Sequence, residues 1–163
     1  MHELAEWANF YIAGAGAAAA LAGLSIVAIS ANLDAILKTT VLPTRAAATI
    51  ATLVLALIVC MAGLMRGQSV EWYGAEVLVF AVIAWWTKVR STLAMQRDPD
   101  RRPESLVWLE LAAGQGQTVP FLIGGAGLLL GWSGALMWIG FGVLAVFGLS
   151  MISVWVLLVE IRR

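Results

Sequence analysis

The chain has 163 residues, of which 61% are apolar and 12% charged, with a net charge of zero and a mean hydropathy of +0.90. Soluble domains are about half apolar and about a quarter charged, so this composition excludes an ordinary soluble fold and points to an all-α, polytopic membrane protein of a single domain. A balanced charge argues against nucleic-acid binding, and at about twenty residues per span the length holds five helices with no room for a soluble catalytic domain.

In chain order the predicted spans run from Trp7 to about Ile36, from Val41 to about Met65, from about Trp72 to Thr87, from Leu106 to Gly131, and from Gly134 to about Leu158. The third has the shortest apolar part, with Glu71 and Glu76 in its first turns, which fits a tilted helix or one that starts in the interface. With five spans, Lys38, Arg45, Lys88, Arg90, Arg97, Arg101, Arg102, Arg162 and Arg163 fall on one side and only Arg66 on the other. The positive-inside rule then predicts the amino terminus outside and the carboxyl terminus in the cytoplasm. Tryptophans favour the membrane boundary, and they divide evenly. Trp7, Trp72, Trp132 and Trp138 fall near the outer boundary, and Trp85, Trp86, Trp108 and Trp155 near the inner one.

The amino terminus carries Glu3 and Glu6 in place of the basic start of a secretory peptide, so a retained first span is expected, in a bacterial cytoplasmic membrane. Ala15, Ala19 and Gly23 recur at four-residue steps in that span, and Gly127 and Gly131 repeat the pattern in the fourth. Such ridges let another helix approach closely, within the bundle or between copies, and homo-oligomers are expected. Ser25 and Asn32 share one face of the first span, while Ser30, Asp34 and Lys38 share the opposite one. Thr39 and Thr40 ahead of Pro43 read as a capped helix start, after which Arg45, Thr49 and Thr52 line one face. An arginine one turn inside the boundary must snorkel or find a carboxylate. Asp34 and Glu160 are predicted at its depth, giving a cytoplasmic-side ionic cluster of Asp34, Arg45 and Glu160.

Gly23-Leu24 with Val27-Ala28, Ser30, Asn32-Leu33 and Ile36-Leu37, then Leu42-Pro43 and Arg45-Ala46, and finally Trp155 to Glu160 with Arg162, carry a family likeness. At both ends the chain resembles a family of small bacterial integral membrane proteins, some of which bear the label modulator of FtsH protease. The resemblance implies an integral membrane protein and at most a protease-associated role, and it supplies no catalytic residues.

The one sizeable predicted loop, Lys88 to Glu104, contains Arg97-Asp-Pro-Asp-Arg-Arg-Pro103. Its basic residues would each contribute about 1 kcal/mol of attraction to anionic lipid, or serve a cytoplasmic partner. Beyond it stands the most polar stretch inside an apolar span, Glu110 to Pro120, with Gln115, Gln117 and Thr118 between. Gln117 and Thr118 are predicted near the bilayer midplane, and Glu110, Gly114 and Gln117 share a helical face. Pro120 cannot bond to the carbonyl of Gly116, and the glycines at 114 and 116 allow the turn to kink or unwind. Broken membrane helices of this kind expose carbonyls to ions or water, although glutamine and threonine in spans also serve simply to bond neighbouring helices.

Several chemistries are excluded. His2 is the only histidine and Cys60 the only cysteine, so histidine metal sites, bis-histidine haem and CxxC redox centres have no ligands, and no cofactor or metal is expected. No phosphate-binding loop or nucleophile elbow is present, and Ser25, Ser30, Ser150 and Ser153 have no basic partner, so an enzyme is not expected. Two classes remain. In one, copies assemble and pass an ion or small polar solute along a pathway of Glu110, Gln115, Gln117, Thr118 and Asn32. In the other, the chain is a non-catalytic companion of a larger membrane complex such as a protease.

Overall fold

A computed structural model describes residues 2–31, 33, 41–95 and 104–160, with side chains at 4–31, 33, 43, 46–90, 112 and 114–155. Its regular structure is entirely helical, as expected: α1 (His2–Glu6), α2 (Ala8–Ala31), α3 (Val41–Gly63), α4 (Val70–Met95), α5 (Glu104–Leu129) and α6 (Ala135–Glu160). Consecutive long helices pack on one another, α6 returns against α2, and α3 also touches α6 across the bundle. Gly14 lies against Cys60 and Val143, while Tyr11 lies over Gly63, so α2 runs antiparallel to α3 and alongside the start of α6.

The turns follow from local chemistry. After α3, Leu64 and Met65 donate to the carbonyls of Met61 and Ala62, and Gly67 takes a left-handed conformation (φ 78°) that reverses the chain. Ser69 then caps α4, its hydroxyl accepting from the N–H of Trp72 at 3.3 Å. Between α5 and α6, Trp132 N–H donates to Gly127 and Gly131 N–H to Leu128, with Gly131 at φ 71°. This is a Schellman turn, and it places Gly131 beyond the helix rather than in the packing ridge expected of it.

Two adjacent glycines let α5 wedge between its neighbours. A Cβ on Gly125 would lie 2.9 Å from the amide nitrogen of Leu78 on α4, and one on Gly124 would lie 3.0 Å from the carbonyl oxygen of Ala135 on α6. At this end of the bundle the buried core is aromatic and aliphatic, with Tyr11, Tyr73, Phe121, Val77 and Ile139 all inaccessible. Trp7, Trp72, Trp132 and Trp138 stand at the same end: Trp7 lies over Gly140, and the rings of Trp132 and Trp138 are 6.4 Å apart.

Among the described residues, three helical stretches rather than five are long and apolar enough to cross a membrane: Ala8–Ala31, Ala46–Gly63 and Ala135–Trp155. The other two helices are no shorter, at 26 residues each. They differ in polarity, with Glu71, Glu76, Lys88 and Arg90 on α4 and Gln115, Gln117 and Thr118 on α5. The third element also extends to Met95, well past the expected end at Thr87, so Lys88 to Met95 continue a helix instead of opening a loop. Of the small-residue ridge expected on α2, Ala15 is buried while Ala19 and Gly23 face outward.

Candidate functional site

The buried face of α4 is set by Tyr73, Val77, Ala81 and Ala84, and the next position on that face is Lys88. Side chains on a helix lean toward its amino-terminal end, so the Lys88 stem runs back along α4 into the bundle instead of past the end of the helix. Its ammonium donates to Oε1 of Gln117 and, at 3.5 Å, to the carbonyl oxygen of Gly114, both on α5. One turn earlier on α4, Trp85 donates through Nε1 to Oε1 of Gln115 at 2.9 Å.

Gln115 and Gln117 are two residues apart, about 200° around a helix, so they reach α4 from opposite flanks. Gly114 and Thr118 lie between them, and the Thr118 hydroxyl donates to the Gly114 carbonyl at 3.1 Å. That carbonyl therefore accepts from two side chains. Two residues on, the carbonyl of Gly116 loses its usual partner because Pro120, inside α5, has no N–H. The polar section of α5 thus coincides with a weakened stretch of its own backbone bonding, and side chains of α4 hold it.

Gln117 is 7% exposed and Thr118 fully buried, so both face the interior of their own bundle, and Gln115 is half-buried. Glu110 stands one turn before Gly114 in α5, and its side chain lies outside the described residues. Asn32 and Asp34 also lie outside them, as do the side chains of Arg45 and Glu160, so the expected ionic cluster falls beyond what the structure describes. Three of the five proposed pathway residues are brought together on one seam: Gln115, Gln117 and Thr118.

Sequence reasoning counted Lys88 as an inner-boundary charge and Trp85 as a lipid anchor, and so missed both as partners of the glutamines. The signal was present in the four-, four-, three- and four-residue steps from Tyr73 through Val77, Ala81 and Ala84 to Lys88, which place the lysine on the helix's buried stripe.

The other buried serine and threonine hydroxyls lie at or past the middle of their helices. Ser25 donates to Leu21 at 2.7 Å and Thr52 to Thr49 at 3.0 Å, each satisfied within its own helix, while the Ser150 hydroxyl has no hydrogen-bond partner among the described residues. At the opposite end of α4, the carboxyl of Glu71 is held below the usual glutamate value by its own backbone N–H and by the Ser69 hydroxyl. Among the described residues no group of three or more histidine, cysteine, aspartate or glutamate side chains is placed to hold a metal. Cys60 is buried and unpaired to any other cysteine. No protein-family model matches the chain, and neither a curated protein nor a solved structure matches it.

Proposed function

We propose that the chain is a five-pass membrane protein that conducts an ion or small polar solute along the α4–α5 seam, past Lys88, Gln117 and the proline-containing turns at Gly114–Pro120. The observation that carries this reading is the lysine drawn into the bundle against a backbone carbonyl of a helix that carries a proline in its interior. Ionisable groups inside a membrane bundle are costly and mark substrate or ion pathways, and Pro120 leaves the Gly116 carbonyl without its helical donor. Gln117 and Thr118 face inward, which supports a route within each bundle rather than around an axis between copies.

In this reading α4 and α5 cross the membrane with the three more apolar helices, the cluster of Trp7, Trp72, Trp132 and Trp138 marks the outer boundary, and eight of the ten basic residues stay on the cytoplasmic side while Lys88 reaches inward from it. The membrane is the bacterial cytoplasmic one. The protein has no catalytic role.

Ion flux into liposomes, for the wild type beside Gln117→Leu and Lys88→Met variants of equal folding and reconstitution, tests the proposal. Flux that falls in both variants supports it. A flux equal in all three, or none for any ion tried, sinks it.

One observation favours a second reading. Only 22% of the apolar stretch of α2 is buried, against 50% and 44% for those of α3 and α6, and nothing lies within 4 Å of a Cβ on Gly16 or Gly23. That outward ridge suits close packing against another membrane helix, as in a homo-oligomer or a companion of a larger complex such as a membrane protease.

A further inference from the structure

We infer that two copies of the chain pair across the outward face of α5, each Trp86 donating its indole N–H to the Gly116 carbonyl of the other copy. This rests on the reading that α4 and α5 cross the membrane, and the contact is separate from the outward ridge of α2. One half of the pair is an acceptor. Pro120 leaves the Gly116 carbonyl without its helical donor, and Gly116 is exposed: beyond its own helix, only Cδ1 of Leu149 comes within reach of a Cβ placed there, at 4.0 Å. The other half is a donor. Trp86 is 56% exposed on α4 and, unlike Trp85 beside it, makes no hydrogen bond among the described residues.

The two groups lie at nearly the same depth. The Trp85–Gln115 hydrogen bond sets the residues that follow each of them level across the seam, and the approach of Leu78 to Gly125 gives the same register. Trp86 stands fourteen residues beyond Trp72 of the outer cluster, about 21 Å along α4 against about 30 Å of hydrocarbon, so its N–H lies within the apolar layer rather than at the inner boundary. An outward donor and an outward carbonyl in hydrocarbon are each costly without a partner. Within one copy they do not meet. Gln115 turns to Trp85 on one flank of α5, whereas Gly116, about 100° further round the helix, lies on the flank toward Leu149 of α6. Trp86 and the Gly116 carbonyl therefore border opposite edges of one outward face, whose middle is Val119. A two-fold axis along the membrane normal sets the left edge of one such face against the right edge of the other, so both hydrogen bonds form at once and one patch serves both copies. The chain supplies donor and acceptor itself, at matching depth, which selects a second copy as the partner.

Oxidative cross-linking of Val119→Cys in liposomes, in a Cys60→Ala background, reads the contact, with Val54→Cys, exposed on α3, as the collision control. Dimer at Val119 is expected at least tenfold above that control. Trp86→Phe removes the N–H and keeps an aromatic ring, and Pro120→Ala returns a helical donor to Gly116. Each is expected to lower the yield at least fivefold, and the double variant no further, since both abolish the same hydrogen bond. A yield unchanged by either substitution, losses that multiply in the double variant, or cross-linking at Val119 no greater than at Val54 overturns the inference. Reaction of the Val119→Cys thiol with a membrane-impermeant maleimide separates this outcome from failure of the five-pass reading. A shielded thiol that does not cross-link removes the dimer and leaves that reading standing, whereas a thiol that reacts readily from the water removes both.

Discussion

A Cβ on Gly125 would lie 3.0 Å from the carbonyl oxygen of Gly74, so α4 and α5 meet backbone to backbone where they cross. Nothing there is a flexible side-chain end that can swing aside. Gly125→Ala is expected to destabilise the fold by about 1–3 kcal/mol, the usual cost of overpacking. At Gly114 a Cβ would sit in ordinary contact, 3.6 Å from Cδ of Lys88, so Gly114→Ala is expected to be neutral or to stabilise by up to about 1 kcal/mol through helix propensity. Denaturation in mixed micelles reads both signs. Equal losses at the two positions would contradict the packing described.

The Trp85–Gln115 hydrogen bond joins α4 to α5 on the flank away from Lys88. A double-mutant cycle with Trp85→Phe and Gln115→Leu is expected to give a coupling of about 0.6–2 kcal/mol, the range found for polar contacts between membrane helices. Additive losses would show that the bond contributes nothing to stability.

Ser69 organises the start of α4 and, with the Glu71 backbone N–H, holds the Glu71 carboxyl low. Because this carboxyl ionises more readily in the folded chain than in the unfolded one, its contribution is present above the unfolded value and is lost as pH falls through the folded one. Ser69→Ala is expected to cost about 1 kcal/mol in lost capping and to move the Glu71 titration upward. NMR titration of labelled glutamate measures the second effect, and an unchanged midpoint would remove Ser69 as its cause.

Gly23 faces outward with open space beyond it. Gly23→Leu is therefore expected to leave monomer stability unchanged and to lower the yield of cross-linked dimer in liposomes, if α2 carries the contact between copies. A variant that cross-links as well as wild type would clear this face of that role.

The helical class and two of the breaks between long helices were legible because an apolar composition is interrupted by Gly67, Gln68, Ser69 and by Gly131 to Gly134, whereas the expected five spans reduce, among the described residues, to three stretches apolar enough to cross a membrane. The end of α4 was not legible, since Lys88 and Arg90 read as a boundary by charge while the helix itself runs on to Met95. Hydropathy carries no information about which face of a helix a charge occupies, and that face decided the fate of Lys88. Gln115, Gln117 and Thr118 stood out by polarity alone, but their division between two flanks of α4 depends on where α5 meets that helix. Gly124 and Gly125 set that meeting point, and sequence reasoning had passed over them in favour of Gly127 and Gly131.

The two sides of Pro120 are secured by different means. Toward α6, Gly124 and Gly125 lock α5 against two neighbours through main-chain contacts that cannot part without shifting a helix axis. Toward the start of α5, the restraints described are the side chains of Trp85 and Lys88, which can follow a moving helix by changing rotamer. Among the described residues, α5 is therefore held by main-chain contact after Pro120 and by longer side chains before it. Amide exchange should begin before Pro120 and reach the Gly124–Gly125 turn last.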